Sequence, residues 1–196
     1  MKNIITTPVC NEDITGLRTG DIIYLSGILA TGRDDVHRRV VQENMECPFN
    51  FNGNVIFHAG PIVRKMRNYE IVSVGPTTSM RMETWEADFM VKTGVKIIIG
   101  KGGMGDKTTD ACHINKVIHC VYPGGCAVLG AGQVENIENV FWQELGMPEC
   151  IWVMKVREFG PLIVSIDTEG NNLFRENAAC YASRKEECIK KIFTCF

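Results

Sequence analysis

Val95-Lys96-Ile97-Ile98-Ile99 runs directly into Gly100-Lys101-Gly102-Gly103-Met104-Gly105. A short run dominated by β-branched apolar residues is the pattern of a strand covered on both faces, and such strands belong to parallel sheets. The polar, glycine-rich turn that follows leads into a helix predicted from the spacing of Ala111, Ile114, Val117 and Ile118. Upstream, Met82, Trp85, Phe89 and Met90 recur at helical spacing and stop at Gly94. Helix, buried strand and helix in succession are the mark of α/β architecture.

The same alternation extends in both directions. Asp21 to Leu29 is predicted as a strand, and Ala30 to Val40 as a polar passage into a helix with Val36, Val40 and Val41 on its apolar face. Val55 to Ala59 and Tyr69 to Val74 are strand-like, with the basic turn or hairpin Arg64 to Asn68 between them. Downstream, Pro123-Gly124-Gly125 breaks the chain, and Ile137, Val140 and Phe141 predict a short helix closed near Gly146. Ile151 to Val156 and Leu162 to Ile166 read as two strands flanking Gly160-Pro161, and Tyr181, Cys188, Ile189 and Ile192 mark a terminal amphipathic helix. With no repeat or linker, the 196 residues make one α/β domain of mixed sheets.

Composition narrows the function. Lysine plus arginine number 21 against 23 acidic residues, so no bulk positive field exists to bind a nucleic-acid backbone. The apolar runs are too short for a membrane span and the start, MKNIITTPVC, lacks a long apolar leader, so the expected setting is cytoplasmic. Nine cysteines form no CxxC pair, which argues against a metal site built by this chain alone and for thiols used as small buried hydrophobes.

Three loops follow strands and lead into helices: Thr31 to His37, Gly75 to Arg81, and Gly100 to Gly105. Helix N-termini collect free N–H groups that suit an anion, and Arg33, Arg81 and Lys101 would add the charges to hold two carboxylates. GKGGMG is not a Walker phosphate loop, because no Ser or Thr follows the lysine. Each element also has a plain alternative: an Arg33–Asp34 surface pair, a turn and cap at Thr77-Thr78-Ser79, a solvated loop at Lys101. His37 could move a proton near neutral pH or bond Asp34, whereas His58 reads as structural and His113 and His119 as helix residues. Asp167 is expected to bond its own turn, and Trp85, Trp142 and Trp152 to pack in the core.

TGRDDVHRR (31–39), FHAGPIVRK (57–65), SVGPTTSMRMET (73–84), GKGGMG (100–105) and EFGPLIVSIDTEGNN (158–172) stand in one order along the chain. Together they resemble the beta-type family of L(+)-tartrate dehydratase, within the iron–sulfur class I fumarase group. That resemblance implies a swivelling β/β/α domain over residues 1–196 and a heterotetramer with an alpha subunit, which would carry a [4Fe-4S] cluster that this chain does not. It implies a small dicarboxylate substrate and no metal ligand here. Carried over residue by residue, it makes Arg33, Thr78, Arg81 and Lys101 substrate-binding. Thr77 becomes the direct participant in proton transfer, with His37 as the alternative. Ser79-Met80, where fumarases often have Ala-Gly, follows the tartrate pattern. The expected activity is dehydration of L(+)-tartrate to oxaloacetate, the alternatives being malate/fumarate chemistry or a non-catalytic dicarboxylate-binding subunit.

Overall fold

The computed structural model describes residues 2–66 and 68–194. In chain order the elements are β1 (Asn3–Thr6), α1 (Asn11–Ile14), β2 (Ile22–Thr31), α2 (Asp34–Val41), β3 (Val55–Phe57), β4 (Ile62–Lys65) and β5 (Tyr69–Ser73). They continue with α3 (Glu83–Thr93), β6 (Ile97–Gly100), α4 (Asp106–Asn115), β7 (Ile118–Val121), α5 (Ala127–Gly132), β8 (Val134–Phe141), β9 (Ile151–Ile166) and α6 (Leu173–Thr194).

The main sheet has the order β1-β2-β3-β6-β7-β9-β8, and β9 also pairs with β2. That second pairing closes β2, β3, β6, β7 and β9 into a small barrel. β2, β3, β6 and β7 run parallel, and the long β9 returns antiparallel to both β7 and β2. β4 and β5 form a separate hairpin, where the basic turn was expected.

β6 explains the layering. All its residues are buried, but Ile97 and Ile99 face the barrel interior with Phe57, Cys120, Phe159 and Val164, while Ile98 faces outward. There it meets Val36 and Val40 of α2, Phe89 and Met90 of α3, and Ala111 and Cys112 of α4. A strand with apolar cover on both sides has no polar face, hence the unbroken Ile-Ile-Ile. Gly94 ends α3 in the left-handed region at φ 68, which costs glycine little.

The structure departs from the sequence reading at several elements, each for a physical reason. Val117 and Ile118 leave the helix: Lys116 stops α4 in the left-handed conformation, and Ile118 begins β7. Ile137, Val140 and Phe141 lie on β8, not on a helix. Register shifts against β9 between Val134 and Asn136 and between Ile137 and Asn139 bring Val134, Ile137 and Val140 to one face at helix-like spacing. The runs on either side of Gly160-Pro161 are one strand. Its backbone turns at Glu158 (φ 48) and Gly160 (φ 156), where the pairing with β2 shifts register, and pairing resumes beyond.

Candidate active site

The parallel strands deliver their C-terminal ends to one edge of the barrel, the usual place for ligand-binding loops in such sheets. There the segment after β5 wedges between the ends of β3 and β6. Thr77 N–H donates to the His58 carbonyl at 2.6 Å, Lys101 N–H to Thr77 at 3.0 Å, and Ser79 N–H to Lys101 at 3.0 Å. This short ladder fixes Thr77 and Thr78 beside Lys101, with Thr78 and Lys101 paired directly. Thr77 is half-buried, Thr78 and Lys101 are exposed. Their side chains are free of protein partners among the described residues, so two hydroxyls and an ammonium face outward.

The two arginines are already engaged. Arg81 Nε donates to Asp34 Oδ1 at 3.1 Å and its Nη2 lies 2.8 Å from Asp34 Oδ2. Arg33, half-buried at the end of β2, pairs through Nη2 with Glu149 at 3.2 Å and passes so close to Gly60 that a Cβ there would meet its Nη1 at 2.6 Å. Burial pushes the Glu149 carboxyl up, and Arg33 only partly offsets it. Arg33, Thr77, Thr78, Arg81 and Lys101 thus come from adjoining loops at one end of the barrel, as the sequence reading grouped them.

His37 is placed differently from the others. It is fully buried beneath the Arg33 loop, its Nδ1 donating to the Arg33 carbonyl at 2.8 Å and its Nε2 lying 3.2 Å from Glu86 Oε2. His58 Nε2 lies 3.2 Å from the same oxygen, and its Nδ1 faces Ser79 Oγ at 3.1 Å. Ser79 Oγ in turn meets His119 Nε2 at 3.0 Å, and His119 Nδ1 meets Ser165 Oγ at 2.6 Å. Glu86, His58, Ser79, His119 and Ser165 are all without solvent exposure. Burial works against charge on His37, but Glu86 outweighs it and raises the imidazole; on His58 burial wins and lowers it. Burial alone would raise Glu86, yet the two imidazoles hold it well below the usual carboxylate range. Burial lowers His119 to about 3.

His58, Glu86, Ser79 and His119 were not singled out as functional by the sequence reading, which placed His119 on a helix; it lies in β7. The available signal was Glu86 itself. It falls four residues after Met82 and three before Phe89 on the buried side of α3, where an acid requires a partner.

The expectation that this chain offers nothing to a metal is corrected by the same cluster. One ligand atom each from His37, His58 and Glu86 lies within 4.8 Å of the others, a buried set able to coordinate a metal ion. Histidine and carboxylate oxygen are zinc-type donors, and the Arg33 carbonyl and Ser79 hydroxyl orient the rings from behind. The donor set is wrong for an iron–sulfur cluster, which takes thiolates. Among the described residues no three cysteines come together, and burial pushes Cys47 and Cys150 up to about 11, away from the thiolate.

The family profile described as "Fumarase C-terminus" matches residues 2–177. L(+)-tartrate dehydratase subunit beta of Escherichia coli K12 is 55% identical over 193 residues, covering 98% of this chain and 96% of the relative. The chain belongs to the fumarase C-terminal family, of the L(+)-tartrate dehydratase beta type. The subunit of the same name from Shigella flexneri matches to the same extent. A Geobacillus stearothermophilus relative, carrying a class I fumarate hydratase name, is 36% identical over 179 residues, and those residues make up 34% of its length. This chain therefore corresponds to one part of that longer family member. The small barrel backed by helices is the frame on which this member of the family carries its loops, and no helix among the described residues is long and apolar enough to cross a membrane.

Proposed function

We propose that this chain is the beta subunit of a hydro-lyase that, with an alpha subunit, dehydrates L(+)-tartrate to oxaloacetate, the whole of residues 1–196 serving as its beta-type domain in a cytoplasmic heterotetramer. The observation that carries the reading is the ladder of Thr77, Lys101 and Ser79, which sets two hydroxyls and a free ammonium beside two arginines at an edge this chain leaves open. Its 55% identity to a subunit of that enzyme over nearly the whole length supports the substrate.

In this reading Arg81 and Lys101 bind one carboxylate of the diacid and Arg33 the other, with Thr78 donating a hydrogen bond. Guanidinium forks match planar carboxylates, so the clamp sets which carbon faces Thr77. Dehydration breaks a C–H bond on one carbon and the C–O bond on the next. Thr77 accepts the C–H proton at its hydroxyl oxygen as its own hydroxyl proton passes on, because a free hydroxyl is a weak base. The proton passed on ends on the substrate hydroxyl of the neighbouring carbon, which departs as water with the C–O bond, and the enol formed tautomerises to oxaloacetate. His37, sealed under the loop, orients Arg33 and does not meet substrate.

Co-expression with the alpha subunit, anaerobic purification and assay against L(+)-tartrate, D-tartrate and malate test the proposal. Turnover of L(+)-tartrate above the others supports it. Preference for malate would move the chain to fumarase chemistry, and full turnover by a complex lacking both Thr77 and Arg33 would reduce it to a binding subunit.

A further inference from the structure

The function proposed above uses the surface of the three loops and leaves the chain of side chains beneath them unexplained. We infer that Glu86 is the positioning residue of the active site: its buried carboxylate joins His37, which carries the Arg33 loop, to His58, which carries the Thr77-Thr78-Ser79 segment. The inference rests on that function, since it concerns the placement of Arg33 against Thr77.

The geometry ties both loops to one group. On one side Glu86 Oε2 lies 3.2 Å from His37 Nε2, and the other nitrogen of that ring holds the Arg33 carbonyl at 2.8 Å. On the other side the same oxygen lies 3.2 Å from His58 Nε2, and the far nitrogen of that ring holds Ser79 Oγ at 3.1 Å. Ser79 is one residue from Thr78 and two from Thr77, and its N–H also binds the Lys101 carbonyl. The clamp residues come from separate loops, and this interior bridge runs between the arginine loop and the threonine loop.

The bridge continues inward: Ser79 Oγ lies 3.0 Å from His119 Nε2, and His119 Nδ1 lies 2.6 Å from Ser165 Oγ, whose hydroxyl also reaches the His119 carbonyl at 3.2 Å. Both rings at the centre meet one and the same carboxylate oxygen, so the group at position 86 sets the spacing of the two loops together. An amide there keeps the size of the side chain and removes the charge that faces both rings.

The test uses the assembled two-subunit enzyme and compares Glu86→Gln, Glu86→Asp, Ser79→Ala, Arg33→Lys and Thr77→Ala. E86Q is expected to lower kcat by about 10- to 100-fold with a smaller change in KM, the size of loss typical of slight misplacement of reacting groups. E86D opens a small cavity that E86Q does not but keeps the carboxylate, so it should retain more kcat than E86Q, the reverse of what loss of packing alone would produce. S79A, which leaves the carboxylate in place, should give a smaller kcat loss of the same kind and decides the matter if E86Q does not fold. Wild-type kcat in folded E86Q, a kcat in folded E86D no higher than in E86Q, or wild-type kcat in S79A beside an unfolded E86Q, overturns the inference. So does one equivalent of divalent metal per chain in the wild type that is lost in E86Q, since a metal would then make the tie. If R33K and T77A are also fully active, it is the proposed function that fails; if they are impaired while E86Q is not, only the inference does.

Discussion

Arg81 turns the side of its guanidinium to Asp34, with Nε donating to Oδ1 at 3.1 Å and Nη2 lying 2.8 Å from Oδ2. A carboxylate therefore already occupies the face of Arg81 that a diacid would use, and the pair is half exposed on the arginine side. Exposed pairs of this kind contribute little to stability, below about 1 kcal/mol. On the proposed function, substrate displaces Asp34 at small cost and gains the fork geometry.

Arg81→Lys keeps the charge and loses the fork. A missing charged hydrogen bond of about 1–3 kcal/mol corresponds to a fall of roughly 5- to 150-fold in kcat/KM. The melting temperature of the chain should stay within about a degree or two of wild type, because lysine keeps a charge opposite Asp34 and the arginine side of the pair is half exposed. Steady-state kinetics and thermal unfolding of the same preparation separate the two effects.

Of the two residues proposed for proton transfer, Thr77 is the one open to solvent, since His37 is wholly enclosed. Thr77→Ala should therefore abolish both dehydration and exchange of the substrate's carbon-bound hydrogen with deuterated solvent, while Thr77→Ser, which keeps the hydroxyl, retains most of each. His37→Asn in the same assay should depress turnover through the Arg33 loop and leave residual exchange. If T77A exchanges normally while H37N does not, proton transfer belongs to the histidine.

Stability should fall on the acid side, and His119 accounts for part of it. Its folded-state pKa is lowered to about 3 by burial, against about 6.5 for a free imidazole. Below pH 6.5 the unfolded chain takes up a proton at this ring that the folded chain refuses. Its contribution is thus fully present above about 6.5 and is lost progressively as pH falls toward 3. His37 runs the other way: its raised pKa favours the folded state below 6.5 and loses that effect as pH rises through its folded value. Urea midpoints of wild type and His119→Gln between pH 4 and 8 check the balance: the variant should be less stable at pH 8 but less sensitive to acid.

The loops that carry the candidate site were legible because their chemistry is written locally. Arg33, Thr77-Thr78 and Lys101 each follow an apolar run and precede a helix; Arg33 and Lys101 follow the parallel strands β2 and β6, whose ends converge whatever the register between them, while Thr77-Thr78 follows β5 of the separate hairpin and joins them through the backbone ladder. The bridge beneath was not legible, because His58, Ser79, Glu86 and His119 come from separate elements and meet only when β3, β6 and β7 are aligned over α3. The same holds for β8, whose bulges against β9 give a spacing of three that mimics a helix, and for β9, whose turn at Glu158 and Gly160 looks like an end until β2 is seen pairing on both sides. Binary pattern records which face is buried. It does not record which distant polar groups share that burial.

Gly100 offers a test of how tightly the loop rests on the barrel. It closes β6 under the Ser79 side chain, and a Cβ built there would overlap Ser79 Oγ outright and stand 3.2 Å from both Ser79 Cβ and His58 Nδ1. Its backbone is not in the left-handed region, so alanine is penalised by crowding and not by φ. Overpacking of a filled interior typically costs about 1–3 kcal/mol, and Gly100→Ala should lose that much in urea unfolding. Most of the conflict is with one oxygen, so Gly100→Ala combined with Ser79→Ala should be more stable than the sum of the single changes implies. A coupling of at least about 0.5 kcal/mol is expected for side chains in direct contact. Additive costs would mean that the strand end and the threonine loop move apart freely, and that the ladder joining Thr77, Lys101 and Ser79 does not hold the site together.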